Sequence, residues 1–134
     1  MIGLDTNVLV RYLVQDDPAQ ARKATQFIDK ALQEHELLFL NCIVLCELVW
    51  VLESAYGYSK LTIIDVLDKI LTTAQFEIEQ KDEVRKALDD FKRRNTDFAD
   101  CLIGRKNLNS GCSHTVSFDK QAAKAAIFQS VLFS

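Results

Sequence analysis

Short apolar runs alternate along the chain with longer segments that have helical spacing. Five runs are strand candidates: residues 1–4, 37–40, 76–78, 114–118 and a run near 131–133. Six other segments have the length and periodicity of helices: 6–14, 18–34, 43–56, 60–73, 81–94 and 97–109. Such alternation is typical of a parallel sheet with helices on both faces. The pattern therefore predicts an α/β protein with a central parallel sheet of four to five strands.

Local features predict where two of these helices begin and end. Pro18 fits the first turn of the second helix, because proline lacks an N–H that this turn leaves unbonded anyway. Asp17, directly before it, is the expected N-cap. Gly57 fits the stop of the third helix, where the backbone must leave the helical conformation.

The composition fits one soluble globular domain spanning residues 1–134. Apolar residues make up 49% of the chain and charged residues 26%. Asp5 and Arg11 interrupt the first apolar stretch, which argues against a signal peptide, and no run approaches the roughly 20 apolar residues that span a bilayer. We therefore expect a cytoplasmic protein that makes no membrane contact. The four cysteines include no C-x-x-C pair, so we predict reduced core residues in preference to a zinc site.

The overall charge opposes one class of function. A net charge of −3 argues against a protein that holds nucleic acid through a broad basic surface. Contact with nucleic acid would instead depend on local positive charge, for which the candidates are Arg11, Arg22, Lys23, Arg93, Arg94, Arg105 and Lys120. Trp50 and the phenylalanines lie in apolar runs, so we predict that they pack in the core rather than stack on bases. His35 and His114 are expected to be surface or structural residues.

Two aspartates follow directly after apolar strands. Asp5 ends the run MIGL, and Asp119 ends the run TVSF. Ligands of open α/β sheets bind outside the carboxyl ends of the strands, so both side chains are candidates to face a site. Helix capping is the alternative for each of them.

Glu47 is the only charged residue in the segment IVLCELVWVL. A helix that is apolar on every side should be buried on most faces. A carboxylate held there needs a cation, hydrogen-bond donors or a wet cleft, because its burial without a partner costs several kcal/mol. A metal site and a buried Arg or Lys partner are both open explanations.

Asp97 and Asp100 lie three residues apart near the start of a helix, and so project from one face. Like charges at this spacing repel each other, and no Lys or Arg one turn after Asp100 relieves them. The helix dipole suffices to explain Asp97. Asp100 lies deeper in the helix, where capping is less natural, and is the better ligand candidate.

Asp5, Glu47, Asp100 and Asp119 could converge at one edge of the sheet. Clustered carboxylates repel strongly unless a divalent cation neutralises them. Hard oxygen ligands suit Mg²⁺ or Mn²⁺ better than zinc or copper.

Four segments resemble those of PIN-domain ribonucleases, and most closely VapC-like toxins of bacterial toxin–antitoxin pairs: MIGLDTNVLVRYL, CELVWVLESAY, DFADCLIG and TVSFDKQAA. The resemblance implies a three-layer α/β/α sandwich, Mg²⁺- or Mn²⁺-dependent cleavage of RNA, a homodimer and inhibition by a cognate antitoxin protein. It assigns Asp5, Glu47, Asp100 and Asp119 to the catalytic and metal-binding site, with Asp97 as a nearby extra carboxylate. It also suggests Thr6, Asn7 and Ser117 as residues that orient ligands or water.

The implied reaction is hydrolysis of an RNA phosphodiester, in which the acids hold one or two metal ions that activate water and stabilise the leaving oxygen. After Asp100 the chain departs from the small, Ala-rich pattern of the family, which could bring Arg105 or Lys106 toward the substrate. Two other functions stay open. One is a metal-dependent phosphohydrolase acting on small phosphorylated molecules, and the other is a catalytically silent binding protein that keeps the fold.

Overall fold

The computed structural model of the chain describes residues 1–118 and 128–130. The chain divides into two compact units, Met1–Glu79 and a second unit that begins at Gln80. Each unit contains both helices and parallel strands. The α/β class predicted from the sequence is therefore confirmed, whereas the assignment of the whole chain to a single domain stays a prediction.

The first unit is built on a three-stranded parallel sheet in the order β1-β2-β3. Its strands are β1 (Ile2–Gly3), β2 (Leu38–Leu40) and β3 (Phe76–Ile78). Helices α1 (Thr6–Val14) and α2 (Pro18–Gln33) connect β1 to β2, while α3 (Cys42–Ser54) and α4 (Lys60–Thr72) connect β2 to β3. Parallel neighbours require such crossovers, because each strand must begin at the same edge of the sheet.

Side-chain caps set the starts of the helices in the first unit. Asp17 caps α2 by accepting a hydrogen bond from the Gln20 backbone N–H, and Pro18 occupies the first turn. Asn41 caps α3 through the N–H of Val44 in the same way. Each bond satisfies one of the donors that a helix leaves unbonded at its N-terminus.

The C-terminal end of α2 forms a Schellman motif. The N–H of Glu36 donates to the carbonyl of Ala31, and the N–H of His35 donates to the carbonyl of Leu32. His35 adopts the left-handed conformation that this motif requires, with φ of 57°, and is exposed. The prediction that His35 is a surface residue is therefore confirmed.

The core of the first unit consists of aliphatic side chains from the sheet and all four helices. The fully buried members are Leu9, Ile28, Leu38, Leu40, Leu45, Leu48, Leu52 and Ile63. Full burial of one such side chain contributes about 1.5 to 3 kcal/mol of hydrophobic stabilisation. This core holds the ends of β1, β2 and β3 in place, and Asp5, which is discussed below, directly follows the first of these strands.

The second unit contains α5 (Lys81–Arg93), α6 (Phe98–Asn109), β4 (Thr115–Ser117) and β5 (Phe128–Ser130). The two strands are parallel neighbours, with Thr115 opposite Phe128. Phe91 of α5 and Phe98 of α6 meet edge to face, with ring centroids 6.0 Å apart. Buried Asp90 of α5 accepts two hydrogen bonds from Arg105 of α6, at 2.7 and 2.9 Å. These contacts join α5 to α6.

All predicted element bounds that fall on described residues agree with the structure within two residues, and all except those of α3 agree within one. The strand predicted near residues 131–133 lies outside the described residues, and β5 precedes it at Phe128–Ser130. Helix α3 ends at Ser54, with Ala55 as C-cap, so Gly57 lies in the following turn and is not the direct stop. No helix within residues 1–118 and 128–130 has the length and apolar character needed to cross a bilayer.

The cysteine prediction was partly wrong. No disulfide joins any of the four cysteines, all of which lie in the described part of the chain, and Cys42 and Cys101 are buried as predicted. Cys46 is only half-buried, and Cys112 is exposed, because it follows the left-handed turn at Gly111 that ends α6.

Candidate acidic active site

Asp5 occupies the position predicted for it at the carboxyl end of β1. It is the N-cap of α1, and its carboxylate accepts a hydrogen bond of 2.8 Å from the N–H of Thr6. The side chain is nevertheless exposed, and it borders a cleft described below. Capping and a role in a site are therefore compatible for Asp5, because one carboxylate offers more acceptor positions than this single bond uses.

The hydroxyl of Thr6 lies next to this carboxylate in the chain. Thr6 is buried, and its Oγ1 forms no hydrogen bond with any residue that the structure describes. A buried hydroxyl without a partner costs about 1 to 3 kcal/mol, so such groups are uncommon outside functional sites. A ligand or water held by Asp5 and Thr6 would satisfy it.

Glu47 lies on α3 and is exposed, contrary to the expectation that this apolar helix is buried on most faces. Ile43 and Trp50 share its face of the helix and are 69% and 67% exposed. The prediction that Trp50 and the phenylalanines pack in the core was therefore wrong for Trp50, and it was also wrong for Phe27 and Phe118, which are 44% and 71% exposed. The first unit buries the other side of α3 through residues such as Leu45, Leu48 and Leu52, and the face that carries Glu47 is left open.

The second unit carries Asp97 and Asp100. Asp97 is the N-cap residue of α6, yet its exposed side chain makes no capping hydrogen bond within the described part of the chain. Asp100 lies in the first turn of the same helix and is half-buried. Capping thus does not account for the carboxylate of Asp97, and both acids remain candidates to bind a cation.

The four predicted ligands do not all lie in one unit. Asp5 and Glu47 belong to the first unit, Asp100 belongs to the second, and Asp119 lies outside the described residues. Among residues 1–118 and 128–130, no three side chains of the metal-ligating types come together as a group. The role of this acidic set therefore stays a prediction.

A cleft of about 400 Å³ lies between α1 and α2 in the first unit. We call it the α1–α2 cleft, and its polar and aromatic wall residues are Asp5, Asn7, Arg11, Gln20, Lys23 and Phe27. Aliphatic side chains of Leu4 and Val8 complete the surface. Two of the seven candidate cations, Arg11 and Lys23, thus border the same cavity as Asp5, whereas Arg22 lines a separate surface depression beside Gln15 and Thr25.

A polar network holds the Arg11 guanidinium in this wall. Its Nε donates to Gln20 at 2.7 Å, and its Nη1 donates to Asp16 at 2.8 Å and to the hydroxyl of Tyr56 at 3.2 Å. Tyr56 donates to the second carboxylate oxygen of Asp16 at 2.7 Å. The bond from Tyr56 and the charge of Arg11 lower the pKa of Asp16, and the bond to Asp16 raises the pKa of Tyr56.

Sequence reasoning found part of this cleft, since Asp5, Asn7, Arg11 and Lys23 were already candidates. Gln20, Phe27, Asp16 and Tyr56 were not singled out, although Gln20, Lys23 and Phe27 follow helical spacing on α2. That spacing was the available indication. The pairing of Tyr56 with Arg11 joins residues 45 positions apart, and no local pattern predicts it.

The suggestion that Arg105 or Lys106 reaches a substrate finds no support in their contacts. Arg105 forms a two-bond ion pair with buried Asp90, and this pairing raises the pKa of Arg105. Lys106 donates to the side-chain oxygen of Gln80. Arg93 donates to the carbonyl of Asp89 in the last turn of α5, which agrees with the alternative that it stabilises a helix C-terminus.

Comparison with known proteins gives a consistent family. The PIN domain model matches residues 2–127. The chain is 32% identical over 121 residues to a protein of Aquifex aeolicus (strain VF5) called VapC ribonuclease, and the alignment covers 90% of this chain and 89% of that protein. No solved structure gave a significant match. The chain therefore belongs to the PIN domain family.

Proposed function

We propose that the protein is a metal-dependent endoribonuclease, and the toxin of a toxin–antitoxin pair, that cuts cytoplasmic RNA. The observation that carries this proposal is the placement of Asp5, at the end of a parallel strand and on the border of a cleft that also holds Arg11 and Lys23. This combination of charges suits an enzyme that hydrolyses RNA. The carboxylate can bind a metal ion at the cleaved bond, and the two cations can hold the phosphates of the RNA backbone. Family membership and the name of the Aquifex relative support the same reading.

The residues present are compatible with Mg²⁺ or Mn²⁺. Asp5, Glu47, Asp100 and Asp119 would hold the cation, since hard cations take carboxylate oxygens. The hydroxyl of Thr6 beside Asp5, which has no hydrogen-bond partner among the described residues, is an additional oxygen donor of the right kind. When bound, a divalent cation supplies an activated water and stabilises the charge on the leaving oxygen.

The chain itself supplies position and charge. The bond from the Thr6 N–H fixes one oxygen of Asp5 at the start of α1. Arg11 is held in the wall of the cleft by Asp16, Tyr56 and Gln20, and its ion pair with Asp16 offsets part of its positive charge. Neither residue then has to be ordered when RNA binds, which lowers the entropic cost of reaching the reactive geometry.

The direct test is cleavage of labelled single-stranded and structured RNA in Mg²⁺, Mn²⁺ or EDTA. Purified protein free of any partner should cut with metal and not in EDTA. Asp5→Asn and Asp100→Asn should each abolish cutting while circular dichroism stays unchanged. Asp65→Asn is the matched control, because it removes the charge of an exposed acid on α4. This variant should cut RNA as well as the wild type does. Folded wild-type protein that cuts no RNA with either metal would overturn the proposal in favour of a binding protein or a small-molecule phosphohydrolase.

An apolar surface on α4 is our candidate for the contact with the antitoxin. Leu67 is only 1% exposed and belongs to the core, so it does not take part in this surface. Leu61 is 76% exposed and Ile64 is half-buried, so these two remain suitable for the contact. Leu61→Glu should abolish copurification with the cognate antitoxin without unfolding the chain. Unchanged copurification would exclude this surface.

The proposed homodimer is tested separately, by light scattering of the antitoxin-free protein during gel filtration. A mass twice the 15.2 kDa of one chain is expected. A monomer over the whole range of usable concentrations would contradict it.

A further inference from the structure

The α1–α2 cleft is formed by one face of each helix. Asn7 and Arg11 are one turn apart on α1, and Gln20, Lys23 and Phe27 are spaced three and four residues apart on α2. Asp5 stands at one end of the cleft, where α1 begins. The cleft therefore extends from the proposed cleavage site along both helices of the first unit.

The wall of the cleft combines an aromatic ring with an aliphatic surface. Phe27 is 44% exposed, although its neighbours Ile28 and Ala24 on the same helix are buried. Leu4 and Val8 supply the aliphatic part. A flat apolar group fits such a surface, and the side-chain amides of Asn7 and Gln20 add donors and acceptors at its border. This is the chemistry that a single nucleobase presents.

Positive charge accompanies the apolar surface. Arg11 is fixed by three hydrogen bonds, as described above. Lys23 is exposed, and no acidic side chain within residues 1–118 and 128–130 forms an ion pair with it. A cation that has no ion-pair partner in the described part of the chain, and that borders the same cleft as an exposed ring, is complementary to a phosphate attached to a stacked base. The volume of about 400 Å³ lies within the range of small-ligand sites, which is about 300 to 1,000 Å³.

We propose that the α1–α2 cleft is a nucleotide subsite that binds one unstacked nucleotide of single-stranded RNA next to the cleavage site. In it, Phe27 stacks on the base and Lys23 contacts a neighbouring phosphate. Single-stranded RNA is required, because a base inside a duplex cannot offer its face to a side chain. The inference rests on the proposed ribonuclease function and specifies where its substrate binds.

The phosphate contact is tested by the salt dependence of binding. Affinity for a fluorescent single-stranded RNA oligonucleotide is measured by anisotropy in EDTA, which prevents metal-dependent cleavage, over a series of KCl concentrations. Each phosphate contact with single-stranded nucleic acid contributes about 0.7 to the slope of log K against log salt. Lys23→Gln should lower the slope by about 0.7, whereas Arg22→Gln should leave it unchanged, because Arg22 lines a different depression on the same helix.

The stacking contact is tested at Phe27. Phe27→Ala should weaken binding about tenfold, as expected when an aromatic platform for one base is removed. Phe27→Leu keeps an apolar side chain but has no ring, so it should weaken binding to a similar extent. RNA carrying 4-thiouridine provides an independent measurement that does not depend on a variant. Irradiation should attach it to the tryptic peptide that spans residues 24–30, which contains Phe27.

The outcomes separate the subsite from the proposed function. If wild-type protein cuts RNA but the Lys23 and Phe27 variants bind with unchanged slope and affinity, the subsite is wrong and the ribonuclease stands. If the variants lose copurification with an antitoxin but keep normal RNA binding, the cleft binds protein and the subsite is also wrong. If the wild type binds RNA through Lys23 and Phe27 but cuts none with either metal, the subsite stands and the cleavage proposal fails.

Discussion

At the scale of single residues, the buried hydroxyl of Thr6 is expected to lower the stability of the fold. Its buried Oγ1 lacks a partner among the described residues, and such a group destabilises a fold by about 1 to 3 kcal/mol. Valine has nearly the same shape but no hydroxyl. If the hydroxyl serves a ligand, its removal should affect stability and activity in opposite directions.

We therefore expect Thr6→Val to leave the free energy of unfolding unchanged or to raise it by about 1 kcal/mol, while RNA cleavage falls. Urea denaturation and a metal-dependent cleavage assay on the same preparation provide the two measurements. Thr6→Ser keeps the hydroxyl and should retain cleavage. A Val variant that cuts as well as the Ser variant would show that the hydroxyl has no part in the site.

At the scale of elements, α2 ends in a conformation that its residue does not favour. His35 has a φ of 57° at the Schellman position, where a side chain with a Cβ is strained and glycine is not. His35→Gly should raise the free energy of unfolding by about 1 kcal/mol, measured by denaturant titration. His35→Ala is the control, since it removes the imidazole but keeps the Cβ and should bring no gain. A destabilised Gly variant would mean that the imidazole itself stabilises this turn.

The network of Arg11, Asp16 and Tyr56 joins α1, the loop before α2 and the end of α3. Because the pKa of Asp16 is lowered in the folded protein, its ionised form contributes stability at pH values above its ordinary pKa of 3.8. That contribution is lost as the pH falls through the lowered pKa, since the protonated acid accepts these bonds more weakly. Asp16→Asn should therefore be less stable than wild type near neutral pH, and the difference should shrink as the pH falls below 3.8 and vanish below the lowered pKa. Denaturant titrations of both proteins over this pH range measure the difference, and a difference independent of pH would contradict the charge-based account.

At the scale of the whole molecule, the proposed metal links stability to the acidic set. A cation that binds only the folded chain stabilises it by about 2.7 kcal/mol when its free concentration is about a hundred times Kd. Thermal unfolding should therefore shift to higher temperature in Mg²⁺ or Mn²⁺ relative to EDTA for wild type and for Asp65→Asn. Asp5→Asn should remove most of the shift. An equal shift in all three proteins would mean that the cations act elsewhere on the chain.

How far the sequence predicted this molecule depended on the range of the forces involved. The bounds of α1 and α2 were predicted well, because apolar periodicity, Asp17 and Pro18 act within a few residues. The exposure of Glu47 and Trp50 was not predicted. Which face of α3 stays uncovered depends on packing between elements that are distant in the sequence. The same limit applied to the site. The strand-end position of Asp5 followed from local pattern, whereas the Arg11 to Tyr56 bond did not.

The two cations of the α1–α2 cleft differ in the step at which their side chains become ordered: Arg11 on folding and Lys23 on binding of RNA. Arg11 is immobilised during folding by Gln20, Asp16 and Tyr56, so its side-chain entropy is already spent when RNA arrives. Lys23 is exposed and must be ordered at the moment of binding, which offsets part of its attraction for phosphate. Warming should therefore weaken the contribution of Lys23 to affinity more than that of Arg11. The fraction of the binding free energy that Arg11 contributes would thus be larger in warm cells than in cold ones.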